Sequence, residues 1–252
     1  MSNSNNSDKA PVSLWWTRVP DLGATPSHSL DDFANELSES EQERLRGMRS
    51  RRRRQVYLSG HRLLRRALDQ FEPAWRANGD IEHMEGRPPQ FGGNGEAPLA
   101  FNISHSGNTV GCAISRTGPV GFDLEIPTRP RQLLELAREY FAPAEYQRLR
   151  GLDPPALAEH FYQLWTLKES RLKARCGELL DGGMRQELVP ATAVGGLAWY
   201  SYGFCFQEGF GALTVPEPLS EPIGSHQWLQ TEGRWRAQSL PTSFFAPPDL
   251  VS

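Results

Sequence analysis

Three short segments of this chain carry side chains that could do chemistry together. In Val120-Gly-Phe-Asp-Leu-Glu-Ile126, two carboxylates stand two residues apart. Side chains alternate across a strand, so Phe122, Leu124 and Ile126 would share a core face and Gly121, Asp123 and Glu125 the other. Paired carboxylates repel unless a cation lies between them. A hard divalent ion such as Mg²⁺ accepts oxygen ligands of this kind and leaves room for substrate phosphates. A solvated polar face of an edge strand would read the same way.

The second segment is Phe161-Tyr-Gln-Leu-Trp-Thr-Leu-Lys-Glu-Ser-Arg-Leu-Lys173. On a helix Trp165, Glu169 and Lys173 fall four residues apart along one line, at the border of the apolar stripe. Glu169 could then ligate a metal or act as a base, and Lys173 could hold a phosphate. A plain i,i+4 ion pair, worth about 0.3–0.5 kcal/mol, is the simpler alternative. The third segment, Phe101-Asn-Ile-Ser-His-Ser-Gly107, offers hydroxyls, an imidazole and exposed N–H groups at a strand end, all of which bind phosphate. A serine hydrolase reading of Ser104 and His105 is weaker, because neighbours in a strand point to opposite faces and no G-x-S-x-G elbow is present. An ordinary hairpin turn is the other alternative.

Positioning these groups requires strands and helices in a set order, and the sequence supplies that order twice. Glu41-Gln-Glu-Arg-Leu-Arg-Gly47 and Glu145-Tyr-Gln-Arg-Leu-Arg-Gly151 match at five of seven positions. Each follows a helix-start signal, Ser38 with Glu41 in the first and Pro143 in the second. Each precedes a longer helix, and each is itself preceded by an apolar strand, Val12 to Thr17 and Val120 to Ile126. The repetition predicts two α+β halves meeting near residue 118, an N-terminal half over 12–118 and a C-terminal half over 119–240 that carries the metal ligands.

The first long helix is expected over Arg52 to Phe71, with Val56, Tyr57, Gly60, Leu63, Leu64, Ala67, Leu68 and Phe71 as its buried stripe. The second starts near Asp153-Pro154, has Leu157, Phe161, Leu164, Trp165 and Leu172 as its stripe, and stops at Gly177. Strands are expected over Leu99 to Ser104, through Val110, Cys112 and Ile114, and then over Leu197 to Gln207, Gly211 to Val215 and Ser225 to Leu229. Residues 1–11 read as a disordered leader, and those from Pro241 onward as a peripheral proline-rich tail.

In this order and spacing, Phe101-Asn-Ile-Ser-His-Ser-Gly107, Val120-Gly-Phe-Asp-Leu-Glu125 and Trp165-Thr-Leu-Lys-Glu-Ser-Arg-Leu-Lys173 resemble the signature of the Sfp-type 4'-phosphopantetheinyl transferases. The likeness extends more loosely from Leu14 to Leu180 and includes Glu85-Gly-Arg-Pro88, similar to the family's G-[KR]-P turn. It implies an α+β pseudo-dimer of two similar halves, and transfer of the phosphopantetheine arm of coenzyme A to a serine of an apo acyl or peptidyl carrier protein, with 3',5'-ADP released. It also implies Mg²⁺, with Mn²⁺ as an alternative, held by Asp123, Glu125 and Glu169. Ser104, His105 and Arg87 would hold phosphates of coenzyme A, Lys173 its diphosphate, and Arg44 and His61 would make further contacts to it. Glu169 would be the base and Lys173 its catalytic companion. Arg171 departs from the pattern, which has an aromatic residue there and so leaves the local packing and the carrier entry open.

Composition fits a protein of this kind. The 252 residues are ample for a large core, and a net charge of −3 excludes a polycation built to coat nucleic acid. No apolar run approaches the roughly 18 residues of a membrane span. Cys112, Cys176 and Cys205 make neither a disulfide framework nor a C-x-x-C site, which places the chain in a reducing cytoplasm, as a monomer with transient partners. Two other functions remain in view. One is a Mg²⁺-dependent nuclease using the same acids and lysine. The other is a non-catalytic nucleic-acid or partner-binding module using the run Arg51 to Arg54, which could equally be a solvated helix face or a patch for an acidic carrier.

Overall fold

The computed structural model describes residues 10–20, 32–83, 88–93, 99–175, 183–192, 196–206, 209–220, 222–248 and 251. These residues build a mixed α+β fold of four layers, helix on sheet on sheet on helix. The first sheet has the order β11-β10-β1-β5-β4 and the second β6-β9-β8-β12-β7. A separate pair, β2 (Ile81–Glu82) and β3 (Gln90–Phe91), lies outside both.

In the first sheet β1 (Val12–Arg18) is central. It runs antiparallel to β5 (Thr109–Ser115), which forms a hairpin with β4 (Ala100–Ser106). Alternation sends Trp15, Val110, Cys112 and Ile114 toward α2 (Arg51–Phe71), where Leu63, Leu64, Ala67 and Leu68 meet them. It sends Leu14 and Ala113 the other way, into a core shared with Phe122, Leu124 and Phe204 of the second sheet. Both faces of β1 are therefore covered, which is why its residues are nearly continuously apolar. The second sheet contains β6 (Gly121–Glu125) and the hairpin of β8 (Tyr200–Phe206) and β9 (Gly209–Val215). Its outer face packs on α5 (Pro154–Ala174) through Leu167, Ala212 and Phe245. Two short helices, α3 (Leu133–Tyr140) and α4 (Pro143–Arg150), join Phe161 and Tyr162 of α5 in a satellite cluster.

The repeated glutamate explains the repeated sequence. In α1 (Glu39–Gly47), Glu41 is fully buried and closes a capping box with Ser38. It also accepts from His61 Nδ1 at 2.6 Å and from the Arg65 guanidinium. In α4, Glu145 is equally buried and accepts from the N–H groups of Ala142 and Leu188, both at 2.9 Å, and from Lys168 Nζ at 2.8 Å. Arg65 and Lys168 each lie fourteen residues in from the start of a 21-residue helix. Each short helix is thus bolted to the long helix after it by one desolvated ion pair. Such pairs add little net stability, yet removing one partner strands a buried charge.

Several expectations need correction. The tail is not peripheral, because Ser243–Ala246 forms β12 between β8 and β7, with Phe245 and Ala246 buried. The boundary near residue 118 does not separate the sheets either. β10 (Ile223–Leu229) pairs in parallel with β1, and β11 (Arg234–Leu240) extends that first sheet. Strand β4 runs two residues past Ser104, because Gly107 with φ of +56° permits a two-residue turn, Gly107-Asn108, and keeps His105 and Ser106 in the ladder. The strand β7 (Val189–Ala191) was not foreseen, since its three residues carry no alternation. The buried side of α5 is more polar than its stripe implied: Thr166, Lys168, Ser170 and Arg171 are all buried. The leader to residue 9, Gly177 and Leu180 lie outside the described residues.

Gly121 marks where α5 touches β6 most closely, since a Cβ there would overlap the Ser170 carbonyl oxygen and the Ala174 backbone. Gly121→Ala is expected to destabilise the protein by about 3 kcal/mol, read by urea unfolding, because backbone cannot yield as a side chain would. Acid should act on the first-half network. Burial alone would raise the Glu41 pKa, but hydrogen bonds from His61 and Arg65 hold it near 2, below the ordinary 4.5. Burial, partly opposed by Glu41, holds His61 below its ordinary 6.5. Both groups bind protons more readily in the unfolded chain, so stability should fall as pH drops below 6.5, and Glu41 should add its part from 4.5 down toward 2. Thermal melting against pH checks this: Glu41→Gln should flatten the lower part of the curve.

Candidate functional site

The two sheets meet edge to edge where β4 faces β6, and the residues singled out for chemistry collect along that seam. Asp123 is buried. Its Oδ1 accepts from Lys173 Nζ at 2.6 Å and from Ser104 Oγ at 2.9 Å. Lys173 Nζ also lies 3.1 Å from Ser104 Oγ, which closes a three-membered cluster from β4, β6 and α5. Strand alternation places Asp123 opposite Phe122 and Leu124, and the close approach allowed by Gly121 brings α5 near enough for Lys173 to reach it.

Glu125 is half-buried at the end of β6. Its Oε2 accepts from Ser106 Oγ at 2.8 Å, and Oε1 lies 3.7 Å from Arg131 Nη1. Glu169, one helical turn before Lys173, is also half-buried. Burial raises its carboxyl above the ordinary range, and the negative charges of Asp123 and Glu125 push it further, against a partial pull from Lys173. Glu169 therefore lies within electrostatic reach of both other acids. His105 points to the other side of β4 and is exposed. The surrounding protein and the Lys173 ammonium lower its pKa, with Asp123 opposing, so it is neutral at pH 7.

A divalent cation fits these residues in one particular way. Asp123 Oδ2 is buried without a hydrogen-bond partner among the described residues, although Oδ1 has two. An anionic oxygen left in that state is costly unless something positive meets it. Among the described residues no three acids, histidines or cysteines come close enough to cage an ion alone. The arrangement suits Mg²⁺, which is commonly held by one or two carboxylates with the remaining positions left to water and substrate phosphates.

The seam opens at both ends. Near Asn102 and Lys173 lies a cavity of about 330 Å³ that Pro88, Gln90 and Phe91 also line. Near Gly107 and Ile126 lies a cleft of about 910 Å³, with Arg18, Asn108 and Arg129 on its walls.

Other expected site residues lie elsewhere. His61 is buried, its Nδ1 is engaged by Glu41, and its ring packs on Tyr57 at 4.1 Å, so it belongs to the first-half network and not to the Asp123 cluster. Arg44 is exposed on α1, and its charge acts on Tyr57, His61 and His83. Arg87 lies outside the described residues. Arg171 occupies the interior, where its guanidinium donates to Ser201 Oγ at 3.0 Å and Gln186 Oε1 at 3.2 Å. The arginine run is only partly solvated: Arg52 donates to the Pro20 carbonyl and to Asn108 Oδ1, and Arg54 to the Leu45 carbonyl. Sequence reasoning passed over Ser106 and Asn102 as site residues, although both stand in the same alternating register as Ser104 and could have been found by that spacing.

Known proteins resemble this chain. The family profile described as the 4'-phosphopantetheinyl transferase superfamily matches residues 119–192, the stretch holding β6 and α5. The 4'-phosphopantetheinyl transferase HetI of Nostoc is 34% identical over 166 residues, which cover 65% of this chain and 68% of that protein. The 4'-phosphopantetheinyl transferase AcpT of Escherichia coli is 30% identical over 181 residues, covering 71% of this chain and 84% of the relative. The 4'-phosphopantetheinyl transferase Sfp of Bacillus subtilis is 44% identical over a shorter stretch of 73 residues, 29% of this chain and 31% of its own length. With Asp123 and Lys173 inside the matched region and similarity running along most of two relatives, this chain belongs to the 4'-phosphopantetheinyl transferase superfamily.

Proposed function

We propose that this protein transfers the 4'-phosphopantetheine arm of coenzyme A to a serine of an apo acyl or peptidyl carrier protein and releases 3',5'-ADP. The observation that carries the reading is the unpartnered buried oxygen of Asp123 beside Lys173, Ser104 and the electrostatically coupled Glu169. That grouping suits a diphosphate with a divalent cation and has no evident purpose as a structural ion pair.

In the reaction the carrier serine Oγ attacks the β-phosphorus of coenzyme A. A new P–O bond forms, the bond to the bridging oxygen of the diphosphate breaks, and that oxygen leaves with 3',5'-ADP. Little covalent work falls on the protein, so positioning and charge stabilisation account for the rate. Asp123, Glu125 and Glu169 would hold Mg²⁺, or Mn²⁺ in its place. Bound there, the ion neutralises charge on the diphosphate and on the leaving phosphate.

Lys173 already stands at Asp123 Oδ1, and its flexible stem lets the ammonium turn to a phosphoryl oxygen while staying close. Ser104 Oγ and the exposed, neutral His105 would orient further phosphate oxygens. Glu169 would take the serine proton, directly or through water, since burial favours the protonated form and makes the carboxylate a willing acceptor.

We also read the chain as two halves of common design. Support comes from the matched glutamate pairs and from the matched units of β1 with the β4–β5 hairpin and β6 with the β8–β9 hairpin, each under a 21-residue helix. The seam between the halves then becomes the site. Among the described residues, no helix is long and apolar enough to cross a membrane.

Incubation with coenzyme A, Mg²⁺ and a panel of apo carriers should add about 340 Da to at least one of them, the mass of a phosphoester-linked arm, as read by intact-protein mass spectrometry. Chelation should stop the gain, and Mg²⁺ or Mn²⁺ should restore it. No gain on any carrier would overturn the reading. Lys173→Met and Asp123→Asn should each lower kcat about a hundredfold or more while circular dichroism stays that of the native protein. Wild-type kcat in the Asp123→Asn protein would reject its assignment.

A further inference from the structure

β4 and β6 are the edge strands of their sheets, and no backbone ladder joins them. Side chains do the joining. Asn102 Oδ1 accepts the N–H of Phe122 at 3.4 Å, Ser104 Oγ that of Leu124 at 3.4 Å, and Ser106 Oγ that of Ile126 at 3.0 Å. Acceptors at every second residue of one strand meet donors at every second residue of the other, so the polar face of β4 substitutes for the missing carbonyl row. This also answers the exposed-edge problem of β6, whose N–H groups would otherwise be buried without partners.

The two serines do more. Each hydroxyl donates its proton to the carboxylate of the residue just before the N–H it accepts: Ser104 to Asp123 Oδ1 at 2.9 Å, Ser106 to Glu125 Oε2 at 2.8 Å. A single serine oxygen therefore fixes both the backbone and the side chain at one place on β6. At the third position the residue is Gly121, which has no side chain to fix and which α5 requires to be small.

From this geometry we propose that Ser106 is a positioning residue. It sets the Glu125 carboxylate and the end of β6 so that Glu125 can serve, with water and substrate phosphates, a divalent ion bound at Asp123. The inference rests on the metal reading of Glu125 given above. In this role Ser106 acts through Glu125, to which its hydroxyl donates. Arg131, the other neighbour of Glu125, lies 3.7 Å away with a side chain 46% exposed, so solvent screens it and the serine does most of the holding.

The test uses the full chain and isosteric variants. Ser106→Thr keeps the hydroxyl, and Ser106→Val keeps the threonine shape without it. Ser106→Ala, Arg131→Ala and Glu125→Gln complete the set. Mn²⁺ binding in the presence of coenzyme A is measured directly by electron paramagnetic resonance, alongside the Mg²⁺ concentration for half-maximal activity and the melting temperature. Loss of an outer partner of a metal ligand typically weakens metal binding about 10- to 100-fold, so Ser106→Val and Ser106→Ala should bind Mn²⁺ about tenfold more weakly and need correspondingly more Mg²⁺. Ser106→Thr and Arg131→Ala should stay near the wild type.

Equal Mn²⁺ affinity in the Val and Thr variants, with Glu125→Gln impaired, would overturn the role of Ser106 and leave the metal assignment intact. Wild-type affinity in Glu125→Gln would overturn both. A lower melting temperature shared by Val and Thr with no difference in Mn²⁺ affinity would mark Ser106 as structural only and reject the proposal.

Discussion

The structure depends on how a buried carboxylate at the junction of two sheets is held in place. Asp123 lies where water cannot solvate it, so its partners must come from the protein. One oxygen receives Lys173 and Ser104, each delivered by a different element, and the other has no partner among the described residues. Those elements must approach closely to make the contacts. The glycine at position 121, the small residues Ser170 and Ala174 on α5, and the side-chain bridges from β4 all follow from that demand.

The same logic explains why polar residues occupy so much of the interior. The matched ion pairs of Glu41 and Glu145 anchor α1 and α4 to the long helices, and the central apolar core joins the two sheets face to face. Neither device touches the chemistry, but together they leave the β4–β6 seam as the place where two sheet edges meet without a ladder. An edge-to-edge junction always has unmatched donors and acceptors. Here some of them are matched by serine and asparagine, and the remaining negative charge is suited to a cation and a phosphate.

The C-terminal segment adds a constraint of its own. β10 and β11 return to the first sheet and β12 enters the second, so the last stretch of chain straps the halves together. Relative sliding of the sheets would break both the parallel ladder at β1 and the ladder at β8.

Much was legible from the residues alone. Periodicity of 3.6 marked the long helices to within a residue at the start of α2, the capping serine and aspartate marked where helices begin, and alternation put Asp123 and Glu125 on one face. These are local properties, set by neighbours in the chain. What alternation could not decide was whether that face meets water or another strand, and burial of Asp123 answers it. Arg44 and His61 looked like members of the site, but His61 is tied to Glu41, a contact spanning 20 residues that no local pattern encodes. The strand β12 was hidden because prolines flank a four-residue run too short to show a period, and its two partners, β8 and β7, lie far from it in the chain. The sequence by itself therefore determined the long helices, most of the longer strands, the acids and the family; which sheets meet, which serine holds which carboxylate, and which buried oxygen is left for a ligand were decided by tertiary packing, because those contacts join segments far apart in the chain.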